Sequence, residues 1–323
     1  MFKRAFFSLC VFILAIGLTG CISLDLMSVV SPSLQEHEIS RGGSFTREKI
    51  LIIELSGLIR SGDSRSLFAS HTTPDSIKAI LNKALLDDDI KAVVLRIDSP
   101  GGEVTATDII HHDLLTFKKK TGIPIYASFM SVGASGAYYI SASADKIFGH
   151  PTSILGSIGV IARVPHYSDL ADKIGYSEVV FKSGKNKDLG DPLKDMNEEQ
   201  RLIFQNMIDS MYERFLDVVV QNRSAFETRD DLKAIADGRI YTPEEALRLE
   251  LIDGIAYLDE VIAKVGLAAG LENAKVILYN HQPGYDSNIY SKLPTQVNLL
   301  NIDLHNVFGD SQAGFHYLWM PAH

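Results

Sequence analysis

A run of small residues at 131–139 holds the serine whose surroundings best suit nucleophilic chemistry. Within it, Ser135 is flanked by Ala134 and Gly136. An apolar segment precedes the run and the chain turns apolar after it, which predicts a strand-to-helix turn at Ser135. A hydroxyl at such a turn lies near the positive end of the helix dipole, where developing negative charge is stabilised. The run misses the nucleophile elbow G-x-S-x-G by one residue, because Gly136 comes too early. Close packing of the backbone is therefore the alternative interpretation.

Five motifs, taken in chain order, resemble those of the signal peptide peptidase A family. They are Asp98-Ser99-Pro100-Gly101-Gly102, Ala134-Ser135-Gly136 before a tyrosine pair, Gly156-Ser157-Ile158-Gly159-Val160, Lys182-Ser183-Gly184-Lys185-Asn186-Lys187-Asp188, and Ala236-Asp237-Gly238-Arg239-Ile240-Tyr241-Thr242. The resemblance covers residues 49–271, and five ordered motifs make chance similarity implausible. The length is that of family members with one catalytic module.

The resemblance implies an α/β fold of the ClpP/crotonase-like type, built from repeated β-β-α units. It also implies a serine endopeptidase with a Ser-Lys dyad, without a cofactor or a metal. Ser135 aligns with the nucleophile, Lys187 with the general base, and Ser157 with a serine that hydrogen-bonds the lysine. The backbone N–H groups of Gly102 and Gly136 fall where the family builds its oxyanion hole.

The chemistry of this dyad requires a neutral lysine. A serine hydroxyl is a weak nucleophile and needs a base in contact with it. The pKa of the lysine must therefore fall well below its free value of about 10.4, which burial in an apolar pocket achieves. Lys185 is the competing base, but the place of Lys187 beside Asp188 fits the family pattern better. We expect the walls of the pocket to come from the preceding apolar residues Val179, Val180 and Phe181.

The segments that must position these residues alternate between strand and helix patterns. Residues 50–55, 92–97 and 124–130 have the continuous apolar character of buried strands. Helices are predicted from Thr73-Pro74, from the residue after Gly102, over residues 198–222, and from the capping box that begins at Thr242. This order predicts an α/β fold with a largely parallel sheet.

The first 21 residues have the pattern of a targeting segment. A positive start at Lys3 and Arg4 precedes an apolar run that is short for a spanning helix. The run ends in Leu-Thr-Gly before Cys21, which resembles a bacterial lipobox; an uncleaved anchor helix is the alternative. The only other cysteine is Cys10, inside the run, so cleavage would leave one cysteine and no intrachain disulfide.

Four segments follow from these patterns. Residues 1–21 form a lipoprotein-type signal peptide, 22–48 a tether, 49–280 the peptidase domain, and 281–323 a weakly ordered tail. We expect a lipid on Cys21 to hold the protein on a bacterial cell membrane, with the catalytic domain outside the cytoplasm on the periplasmic side. Ile22 after Cys21 leaves sorting to the outer membrane open, so the inner and outer membranes are both candidates.

The expected partners are peptides and further copies of the chain. The net charge of −9 argues against nucleic acid, and the adjacent pair His111-His112 cannot place both rings on one helix face for a metal. The resemblance implies that the substrates are signal-peptide remnants and other short or unfolded apolar peptides. It also implies a ring of about eight protomers with serine and lysine joined across subunits. The apolar end of the tail, with Trp319, is expected to dock inside the ring or on a neighbour.

Two other functions fit parts of the sequence. A noncatalytic lipoprotein scaffold would not need Ser135, Lys187 and Ser157 together. A crotonase-type acyl-CoA enzyme shares the predicted fold class but would lie in the cytoplasm, against the lipobox.

Overall fold

The computed structural model describes residues 34–43, 46–62, 71–280, 288–290 and 314–319. The predicted lipidation site at Cys21 lies outside these residues. The strands are β1 Gln35–Ser40, β2 Lys49–Ser56, β3 Leu58–Ile59, β4 His71–Thr72, β5 Ile90–Ser99, β6 Gly101–Glu103, β7 Ile125–Ala134, β8 Lys146–Gly149, β9 Ile154–Gly156, β10 Ile161–Arg163, β11 Ile240–Tyr241, β12 Gly254–Ile255, β13 Lys275–Asn280 and β14 Gly314–Leu318. The helices are α1 Pro74–Ala84, α2 Val104–Thr121, α3 Gly136–Ser141, α4 Ser168–Ile174, α5 Glu198–Asn222, α6 Arg229–Lys233, α7 Pro243–Arg248 and α8 Leu258–Ala268.

A mainly parallel sheet forms the centre of the fold. Its strand order is β1-β13-β2-β5-β7-β8-β12, and only β1 runs antiparallel to its neighbour along this path. Strand β5 is buried along most of its length. Continuous burial of this kind arises because helices cover both faces of a parallel sheet, which explains the unbroken apolar runs in the sequence.

Short strands branch off the ends of the long strands into a second sheet. Strand β2 leads into β3, and β5 leads through Pro100 into β6 and then directly into α2. The second sheet has the order β10-β14-β6-β3-β4. The predicted α/β class is confirmed, and the order of long strand, short strand and helix gives the repeated β-β-α units.

Two hydrophobic cores lie on the two faces of the central sheet. The larger one packs residues of α1, α2, α3 and α5 against the sheet, with Leu51, Val93 and Leu95 among the strand residues. The smaller one packs α8 against Ile52 and Val94. Odd and even strand residues therefore point to different cores, as strand geometry requires.

Side-chain caps fix the starts of three of the four predicted helices. Thr73, Asn197 and Thr242 each form a capping box at the start of α1, α5 and α7. Each box satisfies two backbone N–H groups that lack a partner within the helix. The predicted helix over residues 198–222 is observed with the same bounds.

Two segment boundaries differ from the sequence prediction. Residues 22–48 were assigned to a tether, but β1 within them pairs with β13. Residues 281–323 were assigned to a weakly ordered tail, but β14 within them pairs with both β6 and β10. The strands that pair with β1 and β14 are distant in sequence, so no local sequence pattern predicts these pairings.

Within the described ranges, no helix is both long enough and apolar enough to cross a bilayer. The same residues contain no group of three or more His, Cys, Asp or Glu side chains arranged to hold a metal ion.

Candidate active site

Ser135 occupies the turn that the sequence predicts, between the last residue of β7 and the first residue of α3. Its backbone has φ 54°, a region that residues with a side chain rarely adopt. The Ser135 N–H donates to the Gly156 carbonyl at 2.7 Å, and its carbonyl accepts from the Tyr139 N–H at 3.0 Å. Backbone strain held by surrounding bonds in this way is common at functional sites.

Ser157 lies beside Ser135 because β7 and β9 are parallel neighbours. Their register pairs Ala134 with Gly156, the last residue of each strand, and a serine follows directly after both. Ser157 also has a positive φ of 49°, and its N–H donates to the Arg239 carbonyl at 2.7 Å. The structure thus brings together two buried serines in strained backbone conformations.

The two glycines predicted for the oxyanion hole lie in segments that touch. A Cβ on Gly101 would lie 2.7 Å from the Gly136 nitrogen, and a Cβ on Gly102 would lie 1.9 Å from the Ile59 carbonyl oxygen. A side chain therefore fits neither at position 101 nor at position 102. Strand β6 therefore runs directly past the start of α3, which places the backbone of Gly102 and Gly136 in one region beside Ser135.

Lys187 lies in an exposed loop between α4 and α5. Its neighbours are engaged in ion pairs: Lys185 with Glu199 at 2.7 Å, and Lys182 with Asp188 at 2.6 Å. The hydrogen bonds from Lys182 and Lys194 lower the pKa of Asp188 to about 2. Among the described residues, no hydrogen bond or ion pair of the Lys187 ammonium occurs, and none joins it to Ser135.

The predicted apolar walls around the lysine are not formed within one chain. The side chains of Val179, Val180 and Phe181 are 80 %, 40 % and 93 % exposed. Without a covering partner they cannot desolvate Lys187, so this part of the prediction is wrong for a single chain. The same exposure leaves an apolar surface open around the loop.

The tail contributes a residue that the sequence did not assign to the site. Tyr317 of β14 is fully buried and stacks on Tyr139, with ring centroids 5.2 Å apart. Its ring also contacts Phe215 at 4.8 Å, and its hydroxyl donates to the Met211 carbonyl at 2.8 Å. The aromatic composition of residues 315–319 favours a strand, but it gives no sign of where that strand pairs.

A polar cluster lies next to the Tyr317 ring. The Tyr139 hydroxyl and Arg214 both bind Asp108. Burial alone would raise the pKa of Asp108, but these two hydrogen bonds hold it below its usual value. Burial lowers the pKa of the nearby His111 to about 4, so its ring is neutral at physiological pH.

Comparison with known proteins gives a consistent set of similarities. Residues 117–272 match the model of Peptidase family S49. The chain is 34% identical to a candidate signal peptide peptidase SppA of Enterococcus faecium, over 80% of this chain and 74% of that protein. It is also 34% identical to a candidate protease of Synechocystis, over 72% of this chain and 79% of the relative. Protease 4 of Haemophilus influenzae is 31% identical over 67% of this chain, a match that covers 34% of that longer protein.

Proposed function

Because the chain belongs to peptidase family S49 and is a serine protease, we propose that Ser135 is its nucleophile and Lys187 its general base. The observation that carries this proposal is the turn at Ser135. A buried serine in a strained conformation lies beside the close approach of β6 to Gly136. Ordinary packing does not require a serine at such a position.

The proposed reaction is acyl transfer through a serine ester. The Ser135 Oγ attacks the substrate carbonyl carbon while neutral Lys187 Nζ takes the hydroxyl proton. The N–H groups of Gly102 and Gly136 stabilise the oxyanion of the tetrahedral intermediate. Lys187 then protonates the leaving amine, and a water activated by the same lysine hydrolyses the ester. Ser157 orients the lysine through a hydrogen bond.

We further propose that two subunits complete each site. Lys187 and the apolar residues before it are exposed in one chain, whereas Ser135 is 1 % exposed. A neighbouring copy that covers this surface would desolvate the lysine and lower its pKa. In a closed ring of about eight copies, each copy would cover the exposed apolar surface of its neighbour through the same contact.

The proposed substrates are cleaved signal peptides and other short or unfolded apolar peptides. The name of the Enterococcus relative supports this class, and a closed ring would admit extended chains while excluding folded proteins. A lipid on Cys21 would hold the enzyme at the membrane from which such peptides are released. Mass spectrometry of the mature N-terminus tests the anchor, because an intact Met1 on membrane-bound protein would exclude lipidation at Cys21.

Degradation of a defined signal peptide tests the function. The purified oligomer should cut a synthetic peptide that has the sequence of a released signal peptide, and it should leave a folded protein of similar apolar content intact. The Ser135→Ala protein should cleave neither. Equal cleavage by the wild-type and Ser135→Ala proteins would show that another residue, or a contaminant, is responsible.

A further inference from the structure

Thr107, near the start of α2, carries a buried hydroxyl that the mechanism above does not use. The residue is fully buried, and its Oγ1 has no hydrogen-bond partner among the described residues. A buried hydroxyl without a partner costs free energy, a cost that a valine of the same shape would not carry. Such a group in a folded protein therefore calls for an explanation.

Two other helical hydroxyls bind the main chain of the preceding turn. The Thr121 hydroxyl, at the end of α2, donates to the Phe117 carbonyl at 2.9 Å, and the Ser141 hydroxyl of α3 donates to the Tyr138 carbonyl at 2.7 Å. Bonds of this local kind are common for serine and threonine within helices. Thr107 makes no such bond, so its hydroxyl remains available to a group from outside α2.

The Thr107 hydroxyl lies beside the residue that follows the nucleophile. A Cβ on Gly136 would lie 2.8 Å from the Thr107 Oγ1. Side chains of a helix tilt toward its N-terminus, and α2 begins directly after β6, the strand that contains Gly102. The hydroxyl is therefore placed next to the two segments whose N–H groups form the proposed oxyanion hole.

A main-chain carbonyl reaches the same space. The point that lies 2.8 Å from the Thr107 Oγ1 lies 3.1 Å from the carbonyl oxygen of Tyr317, yet the hydroxyl does not bind this planar carbonyl. Donors of an oxyanion hole are aimed at the oxygen of the tetrahedral intermediate and not at the ground-state carbonyl oxygen. A hydroxyl that has no partner in the ground state fits a donor of this kind.

We propose that the Thr107 hydroxyl is the third donor of the oxyanion hole, beside the N–H groups of Gly102 and Gly136. The inference rests on the proposed role of Ser135. When the Ser135 Oγ bonds to the substrate carbonyl carbon, the π electron pair of the C=O bond becomes the charge of the oxyanion. The Thr107 O–H donates a hydrogen bond to this oxygen and keeps its proton. The hydrogen bond is lost when the C=O double bond re-forms and the leaving amine departs.

This role gives Thr107 opposite effects on catalysis and on stability. A hydrogen bond that forms only in the transition state raises kcat and leaves KM nearly unchanged. The same hydroxyl destabilises the folded enzyme, because it is buried there without a partner. A residue that only supports the fold would lower both stability and activity when its hydroxyl is removed.

Thr107→Val tests both effects, because valine keeps the shape of the side chain and removes the hydroxyl. We expect kcat on a fluorogenic peptide to fall at least about tenfold, with KM changed less than about twofold. The midpoint of urea unfolding should equal or exceed that of the wild type. Thr107→Ser retains a hydroxyl and should recover most of the lost kcat.

Thr121→Val supplies the matched control on the same helix. The Thr121 hydroxyl donates to the Phe117 carbonyl and accepts from the Ile123 N–H. Its removal should therefore lower the midpoint of urea unfolding and leave kcat at the wild-type value.

A peptide aldehyde measures the proposed hydrogen bond without turnover. Its carbonyl carbon bonds reversibly to the serine oxygen, and the tetrahedral adduct resembles the reaction intermediate. The inhibition constant should rise at least about tenfold in Thr107→Val, and it should stay close to the wild-type value in Thr107→Ser and Thr121→Val.

The outcomes separate this inference from the proposed function. Thr107→Val with the wild-type kcat overturns the inference and leaves the function standing. So does a fall in kcat that comes with a lower urea midpoint and is not restored in Thr107→Ser. The proposed function fails instead if the Ser135→Ala protein cuts the peptide as fast as the wild type does.

Discussion

At the scale of single residues, the site depends on backbone geometry as much as on side-chain chemistry. Ser135 and Ser157 both have a positive φ, and the hydrogen bonds that hold them come from β9 and from Arg239. The sequence identified both serines through their motifs. It could not indicate their strain, because strain depends on the strands that surround the turn.

The choice between two lysines is the sharpest test at this scale. Lys187→Ala should lower peptidase kcat at least about a thousandfold, since the serine loses its base. Lys185→Ala removes a cation of the same loop that is paired with Glu199, so it should keep most of the activity. Steady-state kinetics on a fluorogenic peptide would show the difference, and an active Lys187→Ala protein beside an inactive Lys185→Ala protein would reassign the base.

His111 should make stability depend on pH. Its pKa is about 4 in the folded protein against 6.5 for the free side chain, and it faces Asp108, Arg214, His112 and Tyr139. Between these pH values the unfolded chain binds a proton that the folded protein does not, so the free energy of unfolding falls as the pH falls. The loss attributable to this ring reaches about 3 kcal/mol at pH 4.

Urea unfolding at several pH values between 7 and 4 would measure this effect. The decline should be shallower in His111→Gln than in the wild type, whereas His112→Gln, which alters an exposed neighbour, should follow the wild type. Parallel curves for all three proteins would contradict the assignment.

At the scale of elements, sequence patterns predicted the features that neighbouring residues determine, namely the helix ends and the order of strands and helices. The capping boxes and the bounds of α5 follow from residues within one turn of each helix, and the β-β-α order follows from apolar runs and turn residues. The pairing of β14 with β6 joins residues more than 200 positions apart, so no periodicity could reveal it. The sequence analysis assigned residues 179–181 to a pocket wall because they are apolar. Apolar character alone does not show whether such residues pack within their own chain or against another one.

Gly101 tests the approach of β6 to the site. Gly101→Ala adds a methyl group 2.0 Å from the Tyr317 carbonyl oxygen, in a backbone with φ 99°. It should abolish activity by separating β6 from Gly136. Gly122→Ala also has a positive φ but meets no atom within 4 Å, so it should cost about 1 kcal/mol of stability and keep activity. Equal activity of the two variants, with denaturation curves as the check on folding, would contradict this role.

At the scale of the whole molecule, the proposed active site requires more than one chain. The buried serine and the exposed lysine loop lie in different environments of one protomer. A chain that completes its site only by assembly would be inactive as a monomer. The ring is a prediction from the family resemblance and the lipid anchor is a prediction from the pattern before Cys21, which lies outside the described residues.

Mixing two inactive proteins tests the shared site. After subunit exchange, Ser135→Ala and Lys187→Ala protomers in equal amounts should restore about a quarter of the sites. One neighbour must supply the serine and the other the lysine, and random mixing gives each a one-half chance. Recovery is measured with a fluorogenic peptide, and native mass spectrometry confirms the exchange. Mixed oligomers without activity would mean that each protomer builds its own dyad.

Mapping the site of covalent labelling is the most direct test of Ser135 as the nucleophile and Lys187 as its base. The intact oligomer is treated with a fluorophosphonate, digested and analysed by mass spectrometry. We expect one adduct, on the Ser135 Oγ, that is absent in Ser135→Ala, strongly reduced in Lys187→Ala and retained in Lys185→Ala. An adduct on Ser157 or on another serine, or no adduct in a protein that still cuts peptides, would contradict it.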